Sequence, residues 1–160
     1  MCIRDRIWID QITKAVWFQI FKEAASNDRS QNKYLVSVQE PSQLSKSIDG
    51  NFDSSFVISE KNFLYGICEI NNRDYLFSLN LKKTKQDIHR IKKFKNFAAE
   101  LSSNTSANLL SWIEWDSPYM PWEKNELFFA QIDLDGEIQK INKFSNKLIN
   151  SKKNVSFFQP

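Results

Sequence analysis

The sequence predicts an all-β protein built from repeated groups of short strands. In DYLFSLNL every second residue from Tyr75 to Leu81 is apolar, and a period of two is that of a β-strand. Similar strands recur as YLVSV at Tyr34, YLFSL at Tyr75 and LFFAQI at Leu127, at intervals of 41 and 52 residues. Turn sequences such as INNRDY and DLDGE separate the strands. Repeats of this length are typical of propeller blades, so we predict a fragment of a β-propeller.

A second repeated motif supports this periodicity. HRIKKF and QKINKF match at Ile91 with Ile141 and at Phe94 with Phe144, each pair 50 residues apart. We therefore predict about two complete four-stranded antiparallel blades with pieces of two more. The predicted strands of these two blades are 52–58, 62–70, 75–81, 87–92, 97–101, 108–115, 126–133 and 137–143.

The repeats divide the chain into predicted segments. Residues 7–49 form a partial preceding blade, 50–94 one blade, and 95–144 a second blade with an aromatic loop. Residues 145–160 are expected to be a linker and, in VSFFQP, the start of the next blade. A short helix is also possible around IFKEAASNDRS, although its apolar pattern ends after Ala25.

The N-terminal MCIRDR has no apolar core and no cleavage site, so it is not a signal peptide. It back-translates onto the transposon end used in sequencing libraries, so we interpret residues 1–6 as an adapter scar read into a truncated gene. The alternative is a native start at Met1. Without the scar only Cys68 remains, which excludes an internal disulfide and favours a reducing, cytoplasmic location.

Composition excludes several classes of protein. The chain is 41% hydrophobic and 26% charged, which is ordinary for a globular domain. It has no apolar run of about 18 residues, so we expect no membrane span. A net charge of +3 is a weak argument for nucleic-acid binding. Three glycines leave little room for phosphate-binding loops, and we predict no cofactor.

The residues needed for catalysis or metal binding are scarce. The single histidine, His89, lies in a predicted outer strand, and no G-x-S-x-G turn is present. One histidine and one cysteine do not make a metal site, so we predict none. The carboxylates of DLDGE faintly suggest a calcium loop, but a hairpin turn with Gly136 in the left-handed region is the favoured interpretation.

The segment LKKTKQDIHRIKKFK is strongly basic from Lys82 to Lys95. It could bind a polyanion, in which case binding would weaken steeply with salt. The favoured alternative is a lysine-rich outer strand that prevents edge-to-edge pairing. We therefore expect neither nucleic acid nor membrane as a partner.

The most distinctive segment is WDSPYMPWEKNEL, between two apolar strands. Both adjoining segments, ANLLSWIEW and ELFFAQID, are apolar on both faces, as in a strand between two layers. Pro118 and Pro121 remove backbone donors and end the strand there. The large aromatic side chains could pack within the loop or could bind a ligand or partner. We predict that Trp115 and Trp122 anchor the loop.

This segment resembles a stretch of the N-terminal propeller of prolyl oligopeptidase-like serine peptidases, in the dipeptidyl-aminopeptidase and acylaminoacyl-peptidase branch. Members of that branch carry W-D-H-P-N-M-P-W-D-G-T-E-L, then a D-G turn and an F-Q-P. The matching residues are Trp115, Asp116, Pro118, Met120, Pro121, Trp122, Glu126, Leu127, Phe158, Gln159 and Pro160.

Four positions depart from that pattern, namely Ser117, Tyr119, Glu123 and Lys124. Ser117 replaces the family histidine, which weakens any claim of a polar contact there. The motif covers roughly the last third of the chain, and the repeat extends the resemblance more loosely back to about Ile7.

The resemblance implies a function for the whole parent protein. The propeller of this family precedes a C-terminal α/β-hydrolase domain that holds the catalytic triad, and it restricts access to short peptides. This chain would then be a non-catalytic part of a peptidase, truncated at both ends, with the hydrolase domain as partner. Two alternatives remain open: a stand-alone β-rich binding module without enzymatic activity, or a basic nucleic-acid binder.

Overall fold

The structure is a computed structural model that describes residues 3–25, 33–104, 108–133 and 135–144. Within these ranges the regular elements are twelve β-strands, and no helix could cross a membrane. The strands are β1 (Ile3–Ile9), β2 (Val16–Ala25), β3 (Lys33–Ser37), β4 (Ser42–Gln43), β5 (Gly50–Ile58), β6 (Phe63–Ile70), β7 (Asp74–Asn80), β8 (His89–Lys93), β9 (Phe97–Ser103), β10 (Leu109–Trp115), β11 (Glu126–Ile132) and β12 (Ile138–Lys143).

The described strands form three antiparallel sheets, which we call sheets 1, 2 and 3 in chain order. Sheet 2 has the strand order β5-β6-β7-β8, and sheet 3 has the order β9-β10-β11-β12. In both sheets each strand pairs with the strand that follows it in the chain. In sheet 1, β3 and β4 both pair with the same strand, β2, whose other edge pairs with β1. The all-β prediction is thus confirmed.

The strand predictions for sheets 2 and 3 agree with the structure to within two residues at each end. The prediction of a short helix around IFKEAASNDRS is wrong for its described part, because Ile20 to Ala25 belong to β2. The rest of that segment lies outside the described residues. The part in β2 pairs with β1 on one side and with β3 on the other. Sheet pairing on both edges therefore overrides a weak local preference for helix. The predicted linker and VSFFQP lie outside the described residues.

Two hydrophobic clusters hold the three sheets together face to face. One joins sheets 1 and 2 and includes Leu64 and Cys68, whereas the other joins sheets 2 and 3 and includes Tyr65 and Ile67. These four residues alternate along β6, because successive strand residues point to opposite faces. Sheet 2 is therefore buried on both sides.

Gly66 lies in the middle of β6, between its cross-strand partners Phe56 on β5 and Phe77 on β7. A Cβ atom built on it would lie 2.7 Å from the ring of Phe77 and 2.9 Å from that of Phe56. Only a residue without a side chain leaves room for both rings. Phe77 itself is fully buried, in edge-to-face contact with Phe52 at 5.4 Å between centroids.

Hydrogen bonds also connect neighbouring sheets. Tyr65 Oη, from sheet 2, donates to the Gly136 carbonyl in the β11–β12 turn at 2.8 Å. At the other end of the sheets, Ala98 N of β9 donates to Asp74 Oδ2 of β7 at 3.2 Å. Burial raises the pKa of the Tyr65 phenol to about 12, so this donor keeps its proton.

The repeat itself is confirmed, but its third copy is shifted by one residue from the sequence alignment. Lys93 pairs with Tyr75 in sheet 2, and Lys143 pairs with Phe128 in sheet 3. Phe128, rather than Leu127, therefore occupies the place of Tyr75. Each of these two aromatic side chains packs toward the preceding sheet.

Candidate functional site

The WDSPYMPW segment forms a ten-residue loop, 116–125, between β10 and β11. The equivalent connection in sheet 2, between β6 and β7, has only the three residues 71–73. The loop is thus an insertion at one end of an otherwise regular repeat, as the sequence predicts. Insertions on a rigid scaffold are where binding residues concentrate.

Internal hydrogen bonds give the loop a defined shape. Met120 N donates to Glu123 Oε2 at 2.8 Å, and Glu123 N donates back to the Met120 carbonyl at 2.9 Å. Asn125, only 6% exposed, donates from Nδ2 to the Pro121 carbonyl at 2.8 Å. Glu123 and Asn125 thus supply partners for polar backbone groups, as side chains do in turns.

The start of the loop is attached to the first strand of sheet 3. Trp115 stacks on Phe97 with ring centroids 5.7 Å apart and an angle of 22° between the planes. Asp116 Oδ1 accepts a hydrogen bond from Asn96 Nδ2. The prediction that Trp115 anchors the loop agrees with these contacts.

Trp122 does not behave as predicted. Its side chain is 59% exposed, and it has no hydrogen bond or ring contact with any described residue. The expectation that it anchors the loop by packing is therefore wrong for this part of the chain. Tyr119 and Met120 are also exposed, and so is Phe97, at 47%. These four exposed side chains, three on the loop and Phe97 on β9, are here called the loop patch; exposed apolar side chains are a feature of interaction sites.

Two cavities lie beside the loop and share Lys95 and Trp115 in their walls. The smaller, of about 250 Å³, lies against the loop and is also lined by Tyr119 and Phe128. The larger, of about 570 Å³, extends toward sheet 2 and reaches Asp74. Both cavities combine aromatic and charged walls, which suits a ligand that has apolar and polar parts.

Carboxylates on sheet 2 border the larger cavity. Glu69 and Asp74 lie directly opposite each other in the β6–β7 pair. Burial raises the pKa of the Asp74 carboxyl above its usual value, and the nearby charges of Glu69 and Asp53 raise it further. The hydrogen bond from Ala98 N acts in the opposite direction.

A charged pair beneath the loop was missed by the sequence reasoning. Lys92 Nζ lies 2.5 Å from Glu114 Oε1, and their side chains are only 20% and 16% exposed. The same oxygen accepts a hydrogen bond from Trp112 Nε1 at 2.8 Å. The ammonium also lies over the Phe94 ring, 4.2 Å from its centroid. The pair joins β8 of sheet 2 to β10 of sheet 3.

The predicted basic segment is therefore not a uniform cationic surface. Lys92 is largely buried as described above, and Arg90 lies over the Tyr75 ring at 5.1 Å. Asp87, within the segment, pairs with Lys46 at 2.8 Å. Strand β8 forms the outer edge of sheet 2, which agrees with the interpretation as a lysine-protected edge.

The other candidate groups have structural environments. His89 lies on β8, is 60% exposed and faces Glu137 at 3.5 Å. Asp133 accepts backbone hydrogen bonds from Asp135 and Glu137, both at 2.9 Å. These bonds, that from Glu137 first, lower the pKa of Asp133. Gly136 has φ of 82°, so the DLDGE segment is the predicted hairpin turn.

Cys68 is fully buried, and burial raises the pKa of its thiol to about 12. A thiol in that state is a poor nucleophile and a poor metal ligand. Across the described ranges, no group of three or more histidine, cysteine or acidic residues is placed to hold a metal ion.

Comparisons with known proteins give structural likeness only. No protein-family model and no curated protein matches the chain. A puromycin-hydrolysing peptidase of Mycobacterium tuberculosis is similar with a TM-score of 0.55 at 15% identity. A puromycin hydrolase mutant complexed with PGG scores 0.52 at 14% identity, and puromycin hydrolase scores 0.51 at 15%.

The fold is a β-propeller fragment. Each likeness covers 87% of this chain. Sheets 2 and 3 correspond to the two complete blades that the sequence predicts, whereas sheet 1, in the region predicted to be a partial blade, also has four strands. The chain spans only 23% of the length of each of the three proteins it resembles.

Proposed function

We propose that this chain is the non-catalytic propeller portion of a prolyl oligopeptidase-family serine peptidase. The observation that carries the proposal is the structural likeness to puromycin-hydrolysing peptidases over 87% of the chain. The loop motif from Trp115 to Leu127 gives independent support, since it resembles the dipeptidyl-aminopeptidase and acylaminoacyl-peptidase branch. The parent enzyme would hydrolyse short peptides by dipeptidyl or acylaminoacyl cleavage.

In this proposal the propeller gates access to a C-terminal α/β-hydrolase domain that supplies the catalytic triad. The loop patch and the two cavities lie at the same end of sheets 2 and 3 and offer a surface for that domain or for the entering peptide. His89, the single histidine, lies on an outer strand away from this end. Catalysis would therefore depend on residues outside this chain.

Recovery of the flanking DNA provides the first test. The proposal expects an open reading frame that continues past Pro160 through further blades to a G-x-S-x-G turn. A stop codon soon after Pro160 would contradict it.

The parent protein is then assayed on dipeptidyl and acylaminoacyl p-nitroanilides. Puromycin is included because the matched proteins are named for its hydrolysis. Replacing the serine of that turn by alanine is the control for background hydrolysis.

The gating role has its own test in the parent enzyme. Trp122→Ala removes the most exposed ring of the loop patch without removing any described ring contact. If the loop meets substrate, KM or kcat changes while the melting temperature stays constant. Unchanged kinetics for Trp122→Ala and for Tyr119→Ala would remove the loop from the peptide path.

The second candidate function is a stand-alone β-rich module that binds a protein or another ligand. The exposed loop patch favours it, because aromatic side chains dominate binding surfaces. It predicts that residues 7–160 form a sharp, cooperatively folding monomer in size-exclusion chromatography. A propeller fragment is expected to associate or unfold instead, because repeats bury their cores only against one another.

A further inference from the structure

Lys95 occupies a fixed position where the chain crosses from sheet 2 to sheet 3. It lies between the end of β8 and the start of β9. On one side of it, Phe94 is 1% exposed, and Phe94 N donates to the Asp74 carbonyl at 2.9 Å. On the other side, Asn96 Nδ2 donates to Asp116 Oδ1. Because both neighbours are held, the backbone of Lys95 is held as well, although the residue itself is exposed.

Lys95 and Trp115 are the two residues that the walls of both cavities have in common. Trp115 is half-buried and stacks on Phe97, so its ring also has a defined position. The Lys95 ammonium has no hydrogen bond, ion pair or ring contact with any residue in the described ranges. A cation without a described partner therefore lies beside a fixed aromatic surface.

The other charged groups of the smaller cavity already have partners. Its three carboxylates each contact a lysine or an asparagine, and they are Glu114, Glu126 and Asp116. The second lysine of that wall, Lys124, lies over the Tyr119 ring, 4.9 Å from its centroid. The charge that remains without a partner in this wall is thus the positive charge of Lys95.

We propose that Lys95 binds a carboxylate of the peptide substrate, with an adjoining apolar side chain of the peptide against Trp115. An ammonium and a carboxylate attract each other and form short, charge-assisted hydrogen bonds. The carboxylate would lie on the side of the smaller cavity, because Glu69 and Asp74 in the wall of the larger one repel an anion.

Two parts of a peptide can supply this carboxylate, namely its C-terminus and an acidic side chain. The inference rests on the proposed function, since it names the group of a short peptide that this site recognises.

Equilibrium binding of four peptides to the parent protein tests the inference. Gly-Gly-Phe with a free C-terminal carboxylate is compared with Gly-Gly-Phe amide. Gly-Glu-Phe amide is compared with Gly-Gln-Phe amide, so that this second pair reports on an acidic side chain alone. The serine of the G-x-S-x-G turn is replaced by alanine, which prevents cleavage during the titration. Isothermal titration calorimetry then gives a Kd for each peptide.

In at least one of the two pairs, the peptide with the carboxylate should bind about fivefold more tightly than its neutral counterpart. This ratio is the upper end of what an exposed ion pair contributes. Lys95→Met should remove the difference, whereas Lys95→Arg should keep most of it. Lys93→Met is the matched control and should also keep it, because Lys93 is exposed, is two residues away and lines neither cavity.

Three results would overturn the inference. They are equal binding within both pairs, a difference that survives Lys95→Met, and no binding of any of the four peptides. An equal loss in Lys95→Met and Lys93→Met would also overturn it, because that result indicates a diffuse positive field instead of a site.

Peptide hydrolysis by the parent with its serine intact separates this inference from the proposed function. A parent that cleaves peptides and binds them without any dependence on Lys95 would refute the inference alone. Lys95-dependent binding by a parent that cleaves no peptide would refute the proposed function alone.

Discussion

The pair of Lys92 and Glu114 provides the sharpest test of how sheets 2 and 3 are held together. Removing one partner of a fully buried pair costs ~3–5 kcal/mol, whereas an exposed pair contributes up to ~1 kcal/mol. With side chains 20% and 16% exposed, this pair is closer to the buried limit. Glu114→Ala also leaves the buried Trp112 Nε1 without its acceptor. We expect it to lower the free energy of unfolding by about 3 kcal/mol.

Conservative variants separate the charge from the packing. Glu114→Gln keeps an oxygen for Trp112 Nε1, and Lys92→Met keeps an apolar side chain over the Phe94 ring. Each should cost about 1–2 kcal/mol. The double variant should cost less than the sum by about 1 kcal/mol, because the second substitution no longer leaves an unpaired charge.

Urea unfolding of the propeller within the parent protein, followed by tryptophan fluorescence, measures these differences, because the isolated fragment is expected to associate or unfold. With a slope of ~2 kcal/mol per molar urea, Glu114→Ala should move the midpoint by about 1.5 M. The matched control is the pair of Lys143 and Glu126, which has the same 2.5 Å separation but side chains 53% and 44% exposed. Lys143→Met should cost less than ~1 kcal/mol. Equal costs for Lys92→Met and Lys143→Met, or strict additivity in the double variant, would refute the reasoning.

Three further predictions concern the core, the loop and the acidic cavity. Gly66→Ala should destabilise the chain by ~1–3 kcal/mol in urea unfolding, because its Cβ meets two rings; an unchanged midpoint would contradict the close packing. Trp115→Ala should cost about 2–3 kcal/mol and Trp122→Ala less than ~0.5 kcal/mol; the reverse order would make Trp122 the anchor after all. Asp74 has a raised pKa in the folded state, so its ionisation destabilises the fold as pH rises above the unfolded value. Asp74→Asn should therefore raise the free energy of unfolding at pH 7 by less than ~1 kcal/mol, which is measured as a higher melting temperature. This gain should vanish at pH values where the wild-type carboxyl is protonated. A gain in stability that does not depend on pH would point to another cause.

The local features of the fold were predictable because they depend on neighbours in the sequence. Alternation of apolar residues placed the eight strands of sheets 2 and 3, and the D-G turn at Gly136 was recognised from its residue types. The long connection after Trp115 was also visible, since two prolines interrupt the strand pattern. The branch of the peptidase family and the peptide specificity remain proposals.

The sequence alone determined that the chain is all-β, where most strands lie and that one blade carries an inserted aromatic loop. Only the tertiary structure showed that Phe128, and not Leu127, occupies in sheet 3 the position that Tyr75 occupies in sheet 2. This difference of one residue decides which face of the sheet each side chain occupies. It also decided that the Lys92 side chain is only 20% exposed whereas the adjacent Lys93 is exposed, and that Trp115 stacks on Phe97 whereas Trp122 is exposed. The physical reason is that burial depends on partners from another strand or sheet, such as Glu114 for Lys92 and Phe97 for Trp115, which the local alternation of residues does not encode.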